Sequence, residues 1–594
     1  MFPLTLGPTS LYSQSLAVTP HHWAELSFQV DGRLHPNIPF AQPCYDEFNS
    51  SACREIRGTY LDEGMAQRCV PDLARNDSTL AVSRSTAPTA FIQTQWEACQ
   101  VTNEHCLLDW RDPHLEDPTQ QSRCQSGSLP QYHIDVQNAD DVKAAFSFSK
   151  RAKVPLTIQN TGHDYKGRSS APGSLGLWMH NLQDRSFDPA FIPQGCFDKV
   201  NATPAVTLGA GVRWGDAHKF AHEHNVTLVG GSDMSVGAVG GWLQGGGHGA
   251  LSNTMGLGAD RVLEFQVVTP DGQLRTANEC QNSDLFWALR GGGGGTFGVV
   301  LSATVIASPP VKLQTFILSW SRPNATRTKE AWTLFTDISV QLAEEGWGGY
   351  IMANVFVLIN PKFGSWDEAQ AGGIKRLVEW GQMIQLENKE AQEKGSTVTL
   401  VMREFPSWLS FFQVFTSRFV ASVGKNLALA SRLIPTSLFK TPETRTSLVN
   451  ALLEANTAPT HPSLIILFTA PYSTPDAERK TSVHPAWRES MYHVTVVEPW
   501  AWNATKRDME KAYETVGKSV EGLRRITSEI GAGAAYVNEA DVYEPDWESA
   551  FWGDNYPRLL EIKRKYVPDQ LLDCWHCVGF KKSSNERFGC YLDL

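Results

Sequence analysis

Nowhere in this chain do apolar residues run unbroken for the roughly 18 positions that a membrane span requires. Basic clusters are also missing. Lys and Arg number 52 against 63 Asp and Glu, a formal net charge of −11, which argues against a phosphate backbone as partner. A G-x-S-x-G elbow and an H-E-x-x-H pair are both absent, removing two common hydrolase arrangements. No cysteine pair is matched by a second at zinc-site spacing, so no metal is expected. Residues 1–20 lack the basic stretch and unbroken apolar run of a usual secretory signal.

What is present fits a large globular protein. With 594 residues the chain exceeds what one core organises, so two or more lobes are expected, and 42% hydrophobic with 19% charged residues is an ordinary composition. The 19 Trp suit a flat apolar ligand and suit a large core equally. Six of 11 cysteines (Cys44, Cys53, Cys69, Cys99, Cys106, Cys124) crowd the front of the chain, which reads as disulfide stapling. Together with sequons at Asn49, Asn76, Asn201, Asn225, Asn324 and Asn503 they favour a secretory or extracellular location, while the start of the chain leaves an atypical signal, a misassigned start codon and an intracellular protein as the alternatives.

Residues 1–125 read as a Cys-rich, partly irregular N-terminal extension. From 133 the pattern becomes β-α-β: a strand at 133–136, a helix at 140–151 with Asn138, Ala139 and Asp140 as N-cap candidates, and a strand at 154–158. Strands follow at 205–209, 226–229, 262–269 and 296–301, with helices at 214–224 and 284–290. Beyond about 310 come longer alternating strands at 315–320, 350–359, 397–402, 464–469 and 493–497, with helices at 366–383 and 505–530 between them. Their half-covered character predicts an antiparallel α+β substrate lobe.

Two stretches carry chemistry. Asn160-Thr161-Gly162-His163-Asp164-Tyr165-Lys166-Gly167-Arg168-Ser169-Ser170 leaves a strand with a glycine beside a histidine, a loop whose free N–H groups and imidazole suit a flavin. A lone histidine at a strand end is more often a hydrogen-bonded turn residue. The run from Gly230 to Gly249 is glycine-rich yet interleaved with Val236, Val239, Trp242 and Leu243, which a flexible surface loop rarely is. A backbone that approaches a pyrophosphate or a ring face explains it better. Gly293, Gly295 and Gly298 match G-x-G-x-x-G, but a helix precedes and a strand follows, the reverse of a dinucleotide-binding unit. Cys574-x-x-Cys577 is read as structural, with Cys590 a possible disulfide partner.

These pieces, with the strand VLEFQVVTPDG, the stretch SDLFWALRGGGGGTFGVV and the ending YVNEAD…DW…FWGDNYPRLLEIKRKYVPD, resemble FAD-linked oxidases of the berberine-bridge-enzyme type within the vanillyl-alcohol-oxidase (PCMH-type) fold. NTGHDY, the Cys-rich front and CWHCVGF look most like fungal isoamyl alcohol oxidases, many of which act in secondary metabolism. The resemblance implies an α+β fold, with an FAD-binding domain at 126–310, a substrate lobe at 311–530 and a segment at 531–594 returning to the FAD domain. It implies FAD held covalently through His163. Asn160, Thr161, Gly162, Asp164 and Tyr165 would contact the cofactor with Ser232, Asp233, Val236, Gly237, Gly240, Gly241, Gly245, Gly246, Gly247, His248, Gly249, Leu251 and Asn538. Asp233 stands where two-bond relatives carry a second attachment cysteine, so a single bond is expected. Glu539 is the candidate base, its pKa raised by burial, with Tyr536 beside it; Tyr492, His493 and Glu498 are secondary candidates. A small organic alcohol and dioxygen are the expected partners of a monomer. The competing reading is a flavin- or ligand-binding protein of the same fold without turnover.

Overall fold

Three β-sheets carry the chain in a computed structural model that describes residues 18–61, 92–197, 200–321, 325–390, 397–416, 424–456, 463–474, 480–581 and 586–594. Cys69, the sequons at Asn76 and Asn324 and residues 1–17 lie outside the described residues.

The first sheet contains β1 (Leu34–Pro36), β2 (Tyr132–Asp135), β3 (Leu156–Gln159) and β4 (Leu175–Trp178) in the order β1-β2-β4-β3. Strands β2 and β3 both run parallel to β4, which lies between them, and β1 adds an antiparallel edge. The helix Ala139–Ala152 makes the crossover from β2 to β3. Asn138 caps it, its side chain accepting from the N–H groups of Asp140 and Asp141, while Val142, Ala145, Phe146 and Phe148 are buried.

The second sheet is antiparallel: β5 (Arg185–Phe191), β6 (Thr203–Gly209), β7 (Val262–Val268), β8 (Leu274–Asn278) and β9 (Val299–Ile306), in the order β5-β6-β9-β7-β8. One apolar core joins these two sheets, including Leu156, Leu177, Val206, Phe265 and Val299.

The third sheet has seven antiparallel strands: β10 (Leu313–Trp320), β11 (Gly348–Met352), β12 (Val355–Asn360), β13 (Val398–Phe405), β14 (Asn426–Pro435), β15 (Ser463–Phe468) and β16 (Ser490–Trp500). Helices Ala325–Glu345, Pro442–Asn456 and Lys506–Ser519 share a second core with one face of it, through Phe335, Leu452, Val516, Val494 and Val496. The opposite face is covered in part by helix Trp408–Thr416, through Val357, Ile359 and Phe411, and in part faces the site. The fold is therefore α+β, as the pattern of elements predicts.

Several local expectations change. Residues 226–229 form no strand, only an isolated bridge from Thr227 to Ser308, because four residues between a helix and a glycine run find no ladder partner. The strand at 350–359 is a hairpin, β11 and β12, turning between Met352 and Val355. The helix at 366–383 is two, Trp366–Gln370 and Ile374–Glu390, interrupted at Gly372 and Gly373. The helix at 505–530 is likewise two, Lys506–Ser519 and Glu521–Ser528.

Ten cysteines form five disulfides: Cys44–Cys53, Cys99–Cys590, Cys106–Cys124, Cys196–Cys280 and Cys574–Cys577. Cys590 thus pairs with the N-terminal region, not with the C-x-x-C pair, whose cysteines bond each other.

Candidate active site

A cavity of about 300 Å³ opens where the three sheets meet. Its floor is the loop after β3, which turns sharply where Gly162 and Gly167 adopt left-handed φ of 101° and 72°. Asp164 holds the turn, accepting from the N–H groups of Lys166 at 3.1 Å and Ser169 at 2.8 Å. His163 projects into the cavity with its Nε2 2.7 Å from Ser235 Oγ. Ser235 Oγ donates in turn to Asp233 Oδ1 at 2.9 Å, and the same oxygen accepts from the N–H of Ser235 at 2.8 Å. Burial pulls the His163 pKa down, against the attraction of Asp233.

Across from this floor the backbone comes close. A Cβ added at Gly237 would stand 1.6 Å from Asn160 Oδ1, so only glycine fits between the two loops. Asn160 Oδ1 and Asp233 Oδ2 are buried without a hydrogen-bond partner among the described residues. Both residues belong to the cavity wall. Acceptors of this kind suit a ligand with N–H and O–H donors, as an isoalloxazine and its ribityl chain supply.

The upper part is built by residues 535–541 and the third sheet. Asn538 Nδ2 donates to Gly241 O at 2.8 Å and Tyr536 Oη at 2.7 Å, and its Oδ1 accepts from Arg168 at 3.2 Å. His248 Nε2 lies 3.2 Å from Glu539 Oε1, and its Nδ1 lies 3.1 Å from Thr469 Oγ1. The ionised Glu539 carboxylate only accepts, so His248 Nε2 carries a proton, and in the neutral ring Nδ1 accepts from the Thr469 hydroxyl. His493, fully buried, places Nδ1 3.6 Å from Glu539 Oε2.

The electrostatics correct the expectation for Glu539. Burial works to raise its carboxyl, but His248 and then His493 outweigh that, and the pKa lies below the ordinary 4.5. His493 is itself pushed down to about 3, chiefly by burial, and is neutral at pH 7. Burial, reinforced by Glu539, drives the Tyr536 phenol far above its ordinary value. Tyr536 is therefore a neutral phenol near pH 7, and the ionised group is Glu539.

Strand alternation decides the secondary candidates. On β16 Thr495 and Val497 line the cavity and His493, beside Glu539, shares their side of the strand, whereas Tyr492 points the other way, stacked on Phe335 at 5.5 Å with its hydroxyl on Ser339. Glu498 shares that opposite parity and does not line the cavity. Neither belongs to this site.

Of the expected cofactor residues, Asn160, Thr161, Gly162, His163, Asp164, Tyr165, Ser232, Asp233, Val236, Gly237, Gly240, Gly241, His248 and Asn538 line the cavity. Gly245, Gly246, Gly247, Gly249 and Leu251 stand behind its wall. Gly245 lies under Asn538, Gly246 and Gly247 sit beside Tyr536, Gly249 abuts Gly230, and Leu251 joins an apolar cluster with Phe405 and Trp408. Ser235, Gly294 and Gly295 were not among the expected cofactor residues, although the second glycine cluster was a visible signal, and Arg168 was expected only as part of the histidine loop. Sequence reading missed the third-sheet wall of Leu429, Ile465, Leu467, Thr495 and Val497, which carries no motif.

Comparison with known proteins agrees with this geometry. The family described as "FAD binding domain" matches residues 130–278, and "Berberine and berberine like" matches residues 535–574. The FAD-linked oxidoreductase ffsJ of Aspergillus flavipes is 36% identical over 99% of this chain and 96% of its own length. The VAO-type flavoprotein MtVAO615 of Myceliophthora thermophila C1 is 27% identical, with a TM-score of 0.74 over 96% of each chain. A glucooligosaccharide oxidase from Acremonium strictum, whose structure is described with a 6-S-cysteinyl, 8α-N1-histidyl FAD, shares the fold at 22% identity and a TM-score of 0.58, covering 76% of this chain and 92% of its own. The loops bearing His163, Asp233 and Glu539 fall within the two matched regions, and the chain belongs to the FAD-linked oxidoreductases of the berberine-bridge type, on the vanillyl-alcohol-oxidase fold.

Proposed function

We propose that this enzyme holds FAD through one covalent bond, at His163, and removes hydride from an alcohol carbon of a small organic substrate, with dioxygen as the final electron acceptor. The observation that carries this reading is the placement of an ionised Glu539, flanked by two imidazoles, in the same cavity as His163 and Asn538. Bound FAD supplies the hydride acceptor.

The chain's own groups supply the proton chemistry. Glu539 takes the substrate hydroxyl proton, and His248, donating from Nε2, keeps one carboxylate oxygen aimed and leaves Oε2 for the substrate. Neutral His493 lies beside Oε2 and limits how far the carboxylate swings. The Tyr536 hydroxyl accepts from Asn538 and from the Gly247 N–H, so its own proton is available to donate. Third-sheet residues facing the cavity are mostly aliphatic (Leu429, Ile465, Leu467 and Val497), which favours an apolar substrate body over a sugar and keeps water from the base.

A secretory route is supported by the five disulfides and by exposed sequons at Asn49, Asn201, Asn225 and Asn503. No described helix is long and apolar enough to cross a membrane. A role in fungal secondary metabolism follows the family resemblance, and the relative from Aspergillus flavipes is fungal.

Acid precipitation followed by peptide mapping tests the attachment: the flavin should stay with a peptide containing His163. Anaerobic mixing with a panel of alcohols, sugars and phenols tests the reaction, and an apolar alcohol should bleach the flavin fastest. Free flavin in the supernatant overturns the first claim, and bleaching by sugars alone overturns the second.

A further inference from the structure

The line of contacts from His163 to Ser235 to Asp233 has no part in the alcohol chemistry above. It begins at His163 Nε2, 2.7 Å from Ser235 Oγ, and ends at Asp233 Oδ1, 2.9 Å further on. Direction along it is fixed by its ends. Asp233 Oδ1 already accepts from the N–H groups of Ser235 and Val236, at 2.8 and 3.3 Å, and a carboxylate is acceptor only. The Ser235 hydroxyl therefore donates to Asp233, and its oxygen is left to accept from His163. That places the imidazole proton on Nε2 and the lone pair on Nδ1. Among the described residues, the Gln93 amide nitrogen lies 3.4 Å from Nδ1, a donor that fits the same tautomer and is too distant to hold the lone pair firmly.

We propose that Ser235 and Asp233 form a proton-accepting relay that prepares His163 Nδ1 as the nucleophile for flavin attachment, so that Asp233 assists the single bond at the position where two-bond relatives carry their second one. The proposal rests on the reading that His163 is the attachment residue. In the step itself, the Nδ1 lone pair forms a C–N bond to the 8α carbon while one methyl C–H bond breaks, its proton leaving to solvent. The Nε2 proton passes to Ser235 as the Ser235 proton passes to Asp233, so no imidazolium accumulates. The electron pair released from the C–H bond reduces the ring, and dioxygen takes two electrons back, giving hydrogen peroxide. Burial of the ring, which disfavours a charged imidazole, makes such a proton acceptor useful. Ser235 is completely buried, so solvent does not readily replace it.

Asp233→Asn and Ser235→Ala in the full-length chain test this, with His163→Ala as reference. Asp233→Asn keeps an oxygen for the Ser235 and Val236 N–H groups and removes the charge, so a purely structural role predicts no change. Protein purified from flavin-limited cells is incubated with excess FAD, and acid-stable flavin fluorescence is followed in denaturing gels alongside total FAD binding. The relay predicts unchanged FAD binding, attachment at least about tenfold slower in both variants, below the range of a full general base, and partial recovery as pH is raised. Wild-type attachment rates in Asp233→Asn overturn the relay, and that variant decides the matter should Ser235→Ala fail to fold. Acid-stable flavin in His163→Ala overturns the attachment reading instead.

Discussion

Glu539→Gln separates the charge of the proposed base from its shape. The amide keeps an oxygen where Glu539 Oε1 now meets His248 Nε2 at 3.2 Å, and it removes the proton acceptor. Loss of a positioned base costs about 10²–10⁴-fold in rate, or about 3–5 kcal/mol in the barrier. Flavin content should not move, because Glu539 shares no hydrogen bond with the His163 loop. The assay is stopped-flow bleaching under anaerobic conditions, using the alcohol that reduces the wild type fastest. The pH dependence has a defined sign: the carboxyl sits below 4.5, so the wild-type rate stays level as pH falls from neutrality and drops only below that value. The Gln variant should lack this limb. A variant rate within about threefold of wild type, or a wild-type limb centred near neutrality, would refute the assignment of Glu539 as an ionised base.

Acid should destabilise the fold early. His133, His218 and His493 are held neutral by burial with pKa values near about 3 against the ordinary 6.5, so the unfolded chain binds protons first, and stability present above 6.5 is lost progressively as pH falls toward about 3. Melting temperature measured across that range should fall steadily, and a rise would contradict the burial of these rings. Gly237→Ala drives a methyl into Asn160 Oδ1 and should cost about 1–3 kcal/mol, with flavin retention lost, as read by absorbance per protein after gel filtration. Replacing both Cys99 and Cys590 by Ser should cost about 2–5 kcal/mol in urea unfolding, and a linked Cys99–Cys590 peptide in a non-reducing digest of the wild type checks the pairing directly.

The floor of the site was legible because its chemistry is local. Asn160 to Tyr165 and Gly237 to Gly241 are short glycine-bearing stretches whose composition makes little sense unless a backbone must come close to something, and they do line one cavity. Glycine counting then went too far. Gly245, Gly247 and Gly249 are glycines because Asn538, Trp242 and the Gly230 carbonyl occupy the space of a side chain, and a sequence does not tell a glycine that admits a ligand from one that admits a neighbour. The Glu539 pKa was misjudged for a related reason. Burial is suggested by nearby apolar residues, but the two imidazoles that reverse its effect come from His248, 291 positions upstream, and from His493 on a strand of the third sheet. The strand β14 had no legible signal, since its alternation is masked by Ala428, Ala430, Ser431 and Arg432 all being buried.

Long-range supports of this kind brace the site from the described residues beginning at 92. The His163 loop is held on one side by the N-terminal region, where the Gln93 N–H donates to Gly162 O at 3.2 Å and Trp96 Nε1 donates to Tyr165 O at 2.8 Å. It is held on the other by the tail, where Tyr591 Oη donates to Lys166 O at 2.8 Å. Trp96 and Tyr591 also touch, with ring centroids 4.6 Å apart, and Cys99–Cys590 joins the two clamping segments covalently. The proposed base is tied down separately. Arg432 on β14 meets Glu544 in a buried pair at 2.6 Å, and the Leu433 N–H donates to Ala534 O at 2.9 Å, which fixes the stretch bearing Tyr536, Asn538 and Glu539 against the third sheet. Anchor and base thus lean on different sheets and meet through one hydrogen bond, from Arg168 of the His163 loop to Asn538 Oδ1 at 3.2 Å. A change in the third-sheet wall can alter the substrate without loosening the residues that hold the flavin, whereas a break in the Cys99–Cys590 clamp should loosen the flavin first.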